Sequence, residues 1–176
     1  MAKSIWALDP THSEVSFKVK HMMFTNVSGK FNNFSVLVEN ENDDFSTSSI
    51  SFNADINTID TNNTERDNHL KSADFFDAEK FPTMHFISTK IENISDNNFK
   101  ISGDLKIKNV TKKIELDVEY SGLLKDPWGN TKTAFSIEGK INRKDFGLNW
   151  NAALETGGVL VGEEVKLLAE IQLVKQ

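Results

Sequence analysis

The chain of 176 residues contains no cysteine, which excludes disulfides, thiolate zinc sites and cysteine nucleophiles. Tyrosine is nearly absent, with one Tyr and three Trp against thirteen Phe. Phe has no polar handle, so this aromatic set is large apolar surface that needs no hydrogen-bond partner. Basic charge is in short supply: 20 Lys and Arg face 26 Asp and Glu, a net charge of -6. A wide basic face for nucleic acid is thereby excluded. Arginine is scarcer still, since every basic residue is Lys except Arg66 and Arg143. No apolar run approaches the ~18 residues of a membrane-spanning helix. The N-terminus, Met1 to Pro10, has no apolar stretch of signal-peptide length, which predicts a cytoplasmic protein.

Also missing are the tight local motifs of several enzyme classes. Gly29-Lys30 and Gly139-Lys140 lack the spacing of a phosphate-binding loop, and Gly157-Gly158 with Gly162 does not make a dinucleotide fingerprint. No nucleophile elbow and no paired-histidine zinc motif occurs. His12 and Ser13 near Asp9 are adjacent on a strand start, where their side chains point to opposite faces, so they do not build a catalytic triad. The four His, at positions 12, 21, 69 and 85, show no ligand spacing. No metal and no other cofactor is expected.

What is present is period two. Apolar and polar residues alternate over Val15–Lys20, Ile50–Asn57, Lys113–Tyr120 and Val165–Val174, and more weakly over Phe31–Val38, Met84–Ile91, Phe99–Ile107 and Thr133–Asn142. Each run reads as a strand with one apolar face. Turn clusters separate them at Glu39–Ser49, Asn93–Asn98, Lys125–Asn130 and Thr156–Gly158. About eight such strands predict a single all-β domain over residues 1–176, a sandwich or a barrel of antiparallel hairpins, of which closure into a barrel would bury the apolar faces and remove the edges. One segment, Thr64 to Pro82, does not alternate. It predicts a helix over Glu65–Ser72, opened by Thr64 with Asp67 at capping-box spacing, then a turn that delivers Phe75, Phe76 and Phe81.

Two readings of the Phe set are open. Small eight-stranded barrels either fill their interior with side chains or hold one small ligand. The two arginines pose a similar choice. The planar guanidinium suits a carboxylate or a phosphate. Each Arg either clamps a neighbouring carboxylate such as Asp74, Asp77 or Asp145, or meets an anionic head group at a cavity mouth. Arg66 and His69, three apart on the predicted helix, share a face.

Several long stretches resemble the YceI-like family, also called the polyisoprenoid-binding, lipocalin-like family. They are Trp6-Ala-Leu-Asp-Pro-Thr-His-Ser-Glu-Val-Ser-Phe17; Lys20-His21 with Gly29-Lys-Phe31; Arg66-Asp-Asn-His-Leu-Lys-Ser-Ala-Asp-Phe-Phe-Asp77; Gly103 to Thr111; and Asn142-Arg-Lys-Asp-Phe-Gly-Leu148. The resemblance covers essentially the whole chain. It departs at Asn109, where the family commonly has Gly; Asn tolerates a left-handed backbone, so the turn is expected to persist with Asn109 in that conformation.

The resemblance implies an eight-stranded antiparallel, lipocalin-like barrel with one short helix crossing, holding an isoprenoid, quinone-like or fatty amphiphile, and no catalysis. The expected apolar wall is Phe17, Val19, Phe31, Phe52, Phe86 and Phe135, with Trp6 and Trp150 nearer the ends and Phe75 and Phe76 as a lid. Arg66, His69, Arg143 and His21 are the head-group candidates. A homodimer is the expected assembly, with apolar surface at Leu123, Leu124 and Trp128. Two other function classes stand against storage or transport. One is a lipid hydrolase or isomerase using His69 or His21 with Asp67 or Asp74. The other is a packed barrel acting as a structural or stress-response module, which an interior well below ~300 Å³ would favour.

Overall fold

The alternating segments become long antiparallel strands in the computed structural model, which describes residues 2–154 and 160–176. The strands are β1 (Lys3–Leu8), β2 (Glu14–His21), β3 (Thr25–Phe31), β4 (Phe34–Glu41), β5 (Asp44–Asp55), β6 (Ile59–Asp60), β7 (Thr83–Ser95), β8 (Asn98–Ile107), β9 (Val110–Lys125), β10 (Thr131–Asn142) and β11 (Val161–Lys175). Helix α1 spans Thr64–Lys71. Eight strands, in the order β1-β4-β5-β7-β8-β9-β10-β11, close into a ring through the pairing of β11 with β1. Beyond the ring, β2, β3 and β6 extend the same sheet from β11. In effect β1 and β2 are one long strand interrupted at Pro10–His12, and both halves pair along β11.

This geometry makes the two ends unlike. At the β1 end the ring is complete. At the β2 end, the β5–β7 ladder stops at Asp55↔Thr83, and β6 pairs only with β3 among the described residues. The opening is spanned by α1 and the turns that follow, anchored where the Ile56 amide donates to the Pro82 carbonyl (2.9 Å). A helix in place of a missing ladder satisfies its own backbone internally, so the gap needs no further strand.

Several boundaries differ from the alternation. Strands β1, β3 and the two-residue β6 lie outside the predicted runs. The predicted Glu39–Ser49 turn shrinks to Asn42-Asp43, with φ of 53° and 61°. Two consecutive left-handed residues match the twist of a hairpin, and Asn and Asp tolerate that conformation. The left-handed residue of the β8–β9 turn is Lys108 (φ 57°), not Asn109. Helix α1 is capped by Asn63, whose side chain accepts from the Arg66 amide (2.9 Å), so it starts one residue early. Asn is at least as good an N-cap as Thr. Asp67 instead ties the helix to the end of β6, its Oδ1 accepting from the Thr61 amide (2.8 Å) and from Thr61 Oγ1 (2.5 Å). The predicted turn at Thr156–Gly158 lies outside the described residues.

Leu123, Leu124 and Trp128 are exposed around the β9–β10 hairpin. Where β1 passes to β2, Asp9 accepts from the Thr11 amide and from Thr11 Oγ1 (2.8 Å) and lies 2.9 Å from His12 Nδ1. The His12 hydrogen bond first, then Thr11, lower its pKa from the ordinary 3.8 to about 2. A depressed carboxylate contributes stability that is complete above the unfolded value and is lost as pH falls through the folded one. Asp9→Asn is therefore expected to flatten the fall in urea midpoint between about pH 4 and pH 2; parallel curves for the two proteins would refute it.

Candidate functional site

The inward faces do not meet in the middle. They enclose a cavity of about 340 Å³, above the ~300 Å³ lower end of ligand pockets. The packed-barrel expectation does not fit this interior. Of the thirteen Phe, the cavity is lined by Phe17, Phe31, Phe45, Phe52, Phe75, Phe76, Phe86 and Phe135. Both readings of the Phe set thus hold locally: Phe99 and Phe146 are buried core, while these eight surround space.

Two wall rings are set by glycine on the neighbouring strand. Phe17 pairs across with Gly29, and a Cβ there would lie 2.3 Å from Phe17 Cζ. The Phe86 ring likewise covers Gly103, where a Cβ would lie 2.4 Å from Phe86 Cζ. Each ring lies over the place where a side chain would stand, which fixes its tilt against the wall. At the β1 end, Phe45 forms a floor with Phe135 (centroids 4.5 Å) and Tyr120 (5.5 Å). Trp6 sits outside the cavity in this plug, 1% exposed, its Nε1 donating to Asn40 Oδ1 (3.1 Å).

The other end carries the polar groups. Arg66, on α1, donates from Nε to Thr61 Oγ1 (2.8 Å) and from Nη2 to the Thr61 carbonyl (2.6 Å). Arg143, in the turn after β10, is only 3% exposed. It donates from Nε to the Gly162 carbonyl (2.7 Å), from Nη1 to those of Leu148 (2.5 Å) and Trp150 (2.9 Å), and from Nη2 to that of Val161 (3.2 Å). Burial pushes its pKa down, and Glu163 opposes that shift. Neither Arg clamps Asp74, Asp77 or Asp145, the carboxylates that sequence alone offered. Backbone carbonyls are local and already fixed, whereas loop carboxylates remain hydrated at the surface.

His69 joins this end through its ring, 4.6 Å from Trp150 and 5.1 Å from Phe75, while its Nε2 lies 2.8 Å from Asp74 Oδ2. His21 pairs with Val161, a residue that also bonds Arg143. Phe17, Val19, Phe31, Phe52, Phe75, Phe76, Phe86, Phe135 and Trp150 all line the cavity, as do His21, Arg66, His69 and Arg143. Sequence reasoning missed Phe45, Thr61 and Lys20. Phe45 fell inside a supposed turn, and strand parity from Phe52 assigns it to the other face; the register shift in the β4–β5 ladder between Ser49 and Asp44 reverses that parity. Much of the remaining wall is aliphatic, from Ile101 and Leu105 on β8 to Leu167 and Ile171 on β11. Among the described residues no three of His, Asp and Glu form a group able to hold a metal ion.

Comparison with known proteins agrees with this architecture. The family model described as YceI-like domain matches residues 6–173. A UPF0312 protein of Staphylococcus aureus (strain MSSA476) is 40% identical over 168 residues, 95% of each chain. The crystal structure of the Campylobacter jejuni YCEI protein is 33% identical with a TM-score of 0.76, covering 96% of both chains. Burkholderia cenocepacia BcnA shares the fold at 22% identity, with a TM-score of 0.81 over 94% of this chain and 98% of that one. A polyisoprenoid binding domain from Saccharophagus degradans, implicated in plant cell wall breakdown, superimposes with a TM-score of 0.70 at 14% identity, covering 97% and 98%.

Proposed function

Because this chain belongs to the YceI-like family, we propose that it binds one long apolar amphiphile inside the barrel and stores or carries it without transforming it. The observation that carries this reading is the cavity of about 340 Å³, lined predominantly by Phe, Leu, Ile and Val. Such a wall recognises length and apolarity rather than pattern. Each buried CH₂ contributes ~0.8 kcal/mol, so a few isoprene units reach micromolar affinity after the costs of association. The polyisoprenoid binding domain that shares the fold supports the same class of ligand. Phe17, Val19, Phe31, Phe52, Phe86 and Phe135 are the wall in this reading, Phe75 and Phe76 the cover beneath α1, and Trp150 the rim. Trp6 serves the barrel end instead.

Native mass spectrometry of protein purified without detergent is expected to show a bound mass that organic extraction releases as an isoprenoid or fatty chain. Protein that is ligand-free and also refuses long-chain probes at micromolar concentration overturns the proposal. One observation favours a second reading: His69 and Asp74 are within hydrogen-bond reach beside the cavity, the pairing general acid–base work requires. Turnover of the extracted ligand, lost in His69→Ala with the fold intact, is the result that selects it.

A further inference from the structure

The hairpin between β2 and β3 turns through Met22, Met23 and Phe24, and all three side chains stand in the open. Their exposures are 43%, 62% and 83%. Met22 and Met23 also hold left-handed backbone, with φ of 52° and 65°. Tight hairpins favour Asn, Asp or Gly at such positions, because other side chains are strained there. Folding by itself therefore calls for a small polar turn here. Instead, backbone strain and exposed apolar surface fall on the same three residues, a combination that points to contact with something else.

The strands behind the tip carry a second local conflict. On β2, Val15, Phe17 and Val19 line the cavity, so Lys18 faces outward. Lys18 pairs across with Lys166 of β11, and Lys166 in turn with Lys140 of β10. Like charges directly opposite on a sheet repel, and this row stands in a chain whose net charge is -6. Lys140 has Glu164 at 3.9 Å. Lys18, Lys20 and Lys166 are exposed and form no ion pair among the described residues. Lys20 and Lys18 lie ~7 and ~13 Å behind Met22 along the strand, at ~3.3 Å per residue. An apolar group held at a membrane interface sinks ~5–10 Å into the boundary between headgroups and acyl chains. With the tip at that depth, the long lysine side chains reach the lipid phosphates.

We propose that the β2–β3 hairpin docks the protein on an anionic lipid surface. Met22, Met23 and Phe24 enter the interface, and Lys18, Lys20 and Lys166 meet the phosphates. The rest of this acidic chain is repelled by such a surface, so the contact is confined to one corner and sets the orientation of the barrel. The contact does not require the cavity to hold a ligand, and loss of long-chain binding would leave it standing.

Co-sedimentation with sucrose-loaded vesicles tests this, comparing equimolar phosphatidylglycerol and phosphatidylcholine with phosphatidylcholine alone. Each Lys at an anionic surface is worth about fivefold in partition. The anionic vesicles are therefore expected to bind about tenfold or more tightly, with the preference falling as salt rises. Met23→Gly combined with Phe24→Ser is expected to cut that binding about tenfold or more. Its thermal midpoint is expected to stay or rise, since Gly relieves the left-handed position. Lys18→Gln combined with Lys166→Gln is expected to bring the anionic vesicles close to the neutral ones. Equal partition into the two vesicles, or partition into neither, overturns the proposal. Binding that both double variants leave unmoved overturns it too. A concentration-dependent dimer that the tip variant loses, with no vesicle binding, assigns the tip to a second copy of the chain and likewise overturns it.

Discussion

Arg143→Met is expected to lower folding stability by about 4 kcal/mol, given that each buried acceptor left without a donor costs about 1–3 kcal/mol. Four carbonyls, those of Leu148, Trp150, Val161 and Gly162, converge on this one side chain. They belong to the turn after β10 and to the start of β11, so the guanidinium ties that turn to the strand that follows it. Two effects oppose each other. Removing a buried cation with no carboxylate partner recovers its desolvation cost, several kcal/mol for an ion in a protein interior. Stranding the carbonyls of Leu148, Trp150 and Gly162 costs more in sum, which is why the net sign is destabilising; that of Val161 keeps the Asn151 Nδ2 donor (2.8 Å). Arg143→Lys is expected to retain charge and lose most of the geometry, since an ammonium cannot reach four acceptors spread around a plane. Urea unfolding followed by far-ultraviolet circular dichroism measures both variants. A change below about 1 kcal/mol for Met would show that the carbonyls find water instead.

Ala169→Trp is expected to abolish long-chain binding, weakening it by about 100-fold or more. Ala169 sits on β11 between Ile137 of β10 and Val15 of β2, and it lines the cavity. An indole there occupies the tube just above the floor, since Ala169 is two residues along β11 from Ile171, the ladder partner of Phe135. Excluding about four methylenes from burial removes roughly 3 kcal/mol at ~0.8 kcal/mol per CH₂. Unlike a substitution in a filled core, the added volume enters existing space, so the overpacking cost is expected at or below the low end of about 1–3 kcal/mol. Titration with the neutral fluorophore N-phenyl-1-naphthylamine, and its displacement by a long-chain alcohol, read binding, and the thermal midpoint reads folding. Undiminished affinity in a folded variant would place the ligand somewhere other than the barrel interior.

Much of the barrel was legible because a half-buried strand writes its faces into the sequence one residue at a time. The runs at Lys113–Tyr120, Thr133–Asn142 and Val165–Val174 fall inside β9, β10 and β11. Where alternation was absent, legibility failed. The Ser- and Thr-rich start of β5 reads as a turn, although Phe45 there is buried and helps close the floor. Strand β3, Thr25–Phe31, carries Ser28, Gly29 and Lys30 in place of a clear apolar face. Gly29 is there because the Phe17 ring occupies its side-chain space. That reason belongs to the neighbouring strand and cannot be read along one. Helix α1 was legible for the opposite cause: its capping chemistry is local, and only the choice between Asn63 and Thr64 as cap shifted its start.

The lopsided aromatic set and the missing cysteine were enough to require a core of apolar rings with no disulfide or thiolate staple, and alternation was enough to require antiparallel sheet with one buried face. These properties are local or additive, so they survive in the order of residues. Whether the rings met or stood apart was decided only in three dimensions, because a cavity is a difference between the radius of a closed sheet and the summed reach of its side chains. The partners of Arg66 and Arg143 were decided there too. Sequence offered nearby carboxylates, but folding placed backbone carbonyls and Thr61 closer. A guanidinium takes the acceptors that the chain brings within reach, and those acceptors are peptide groups whose position no side-chain pattern encodes.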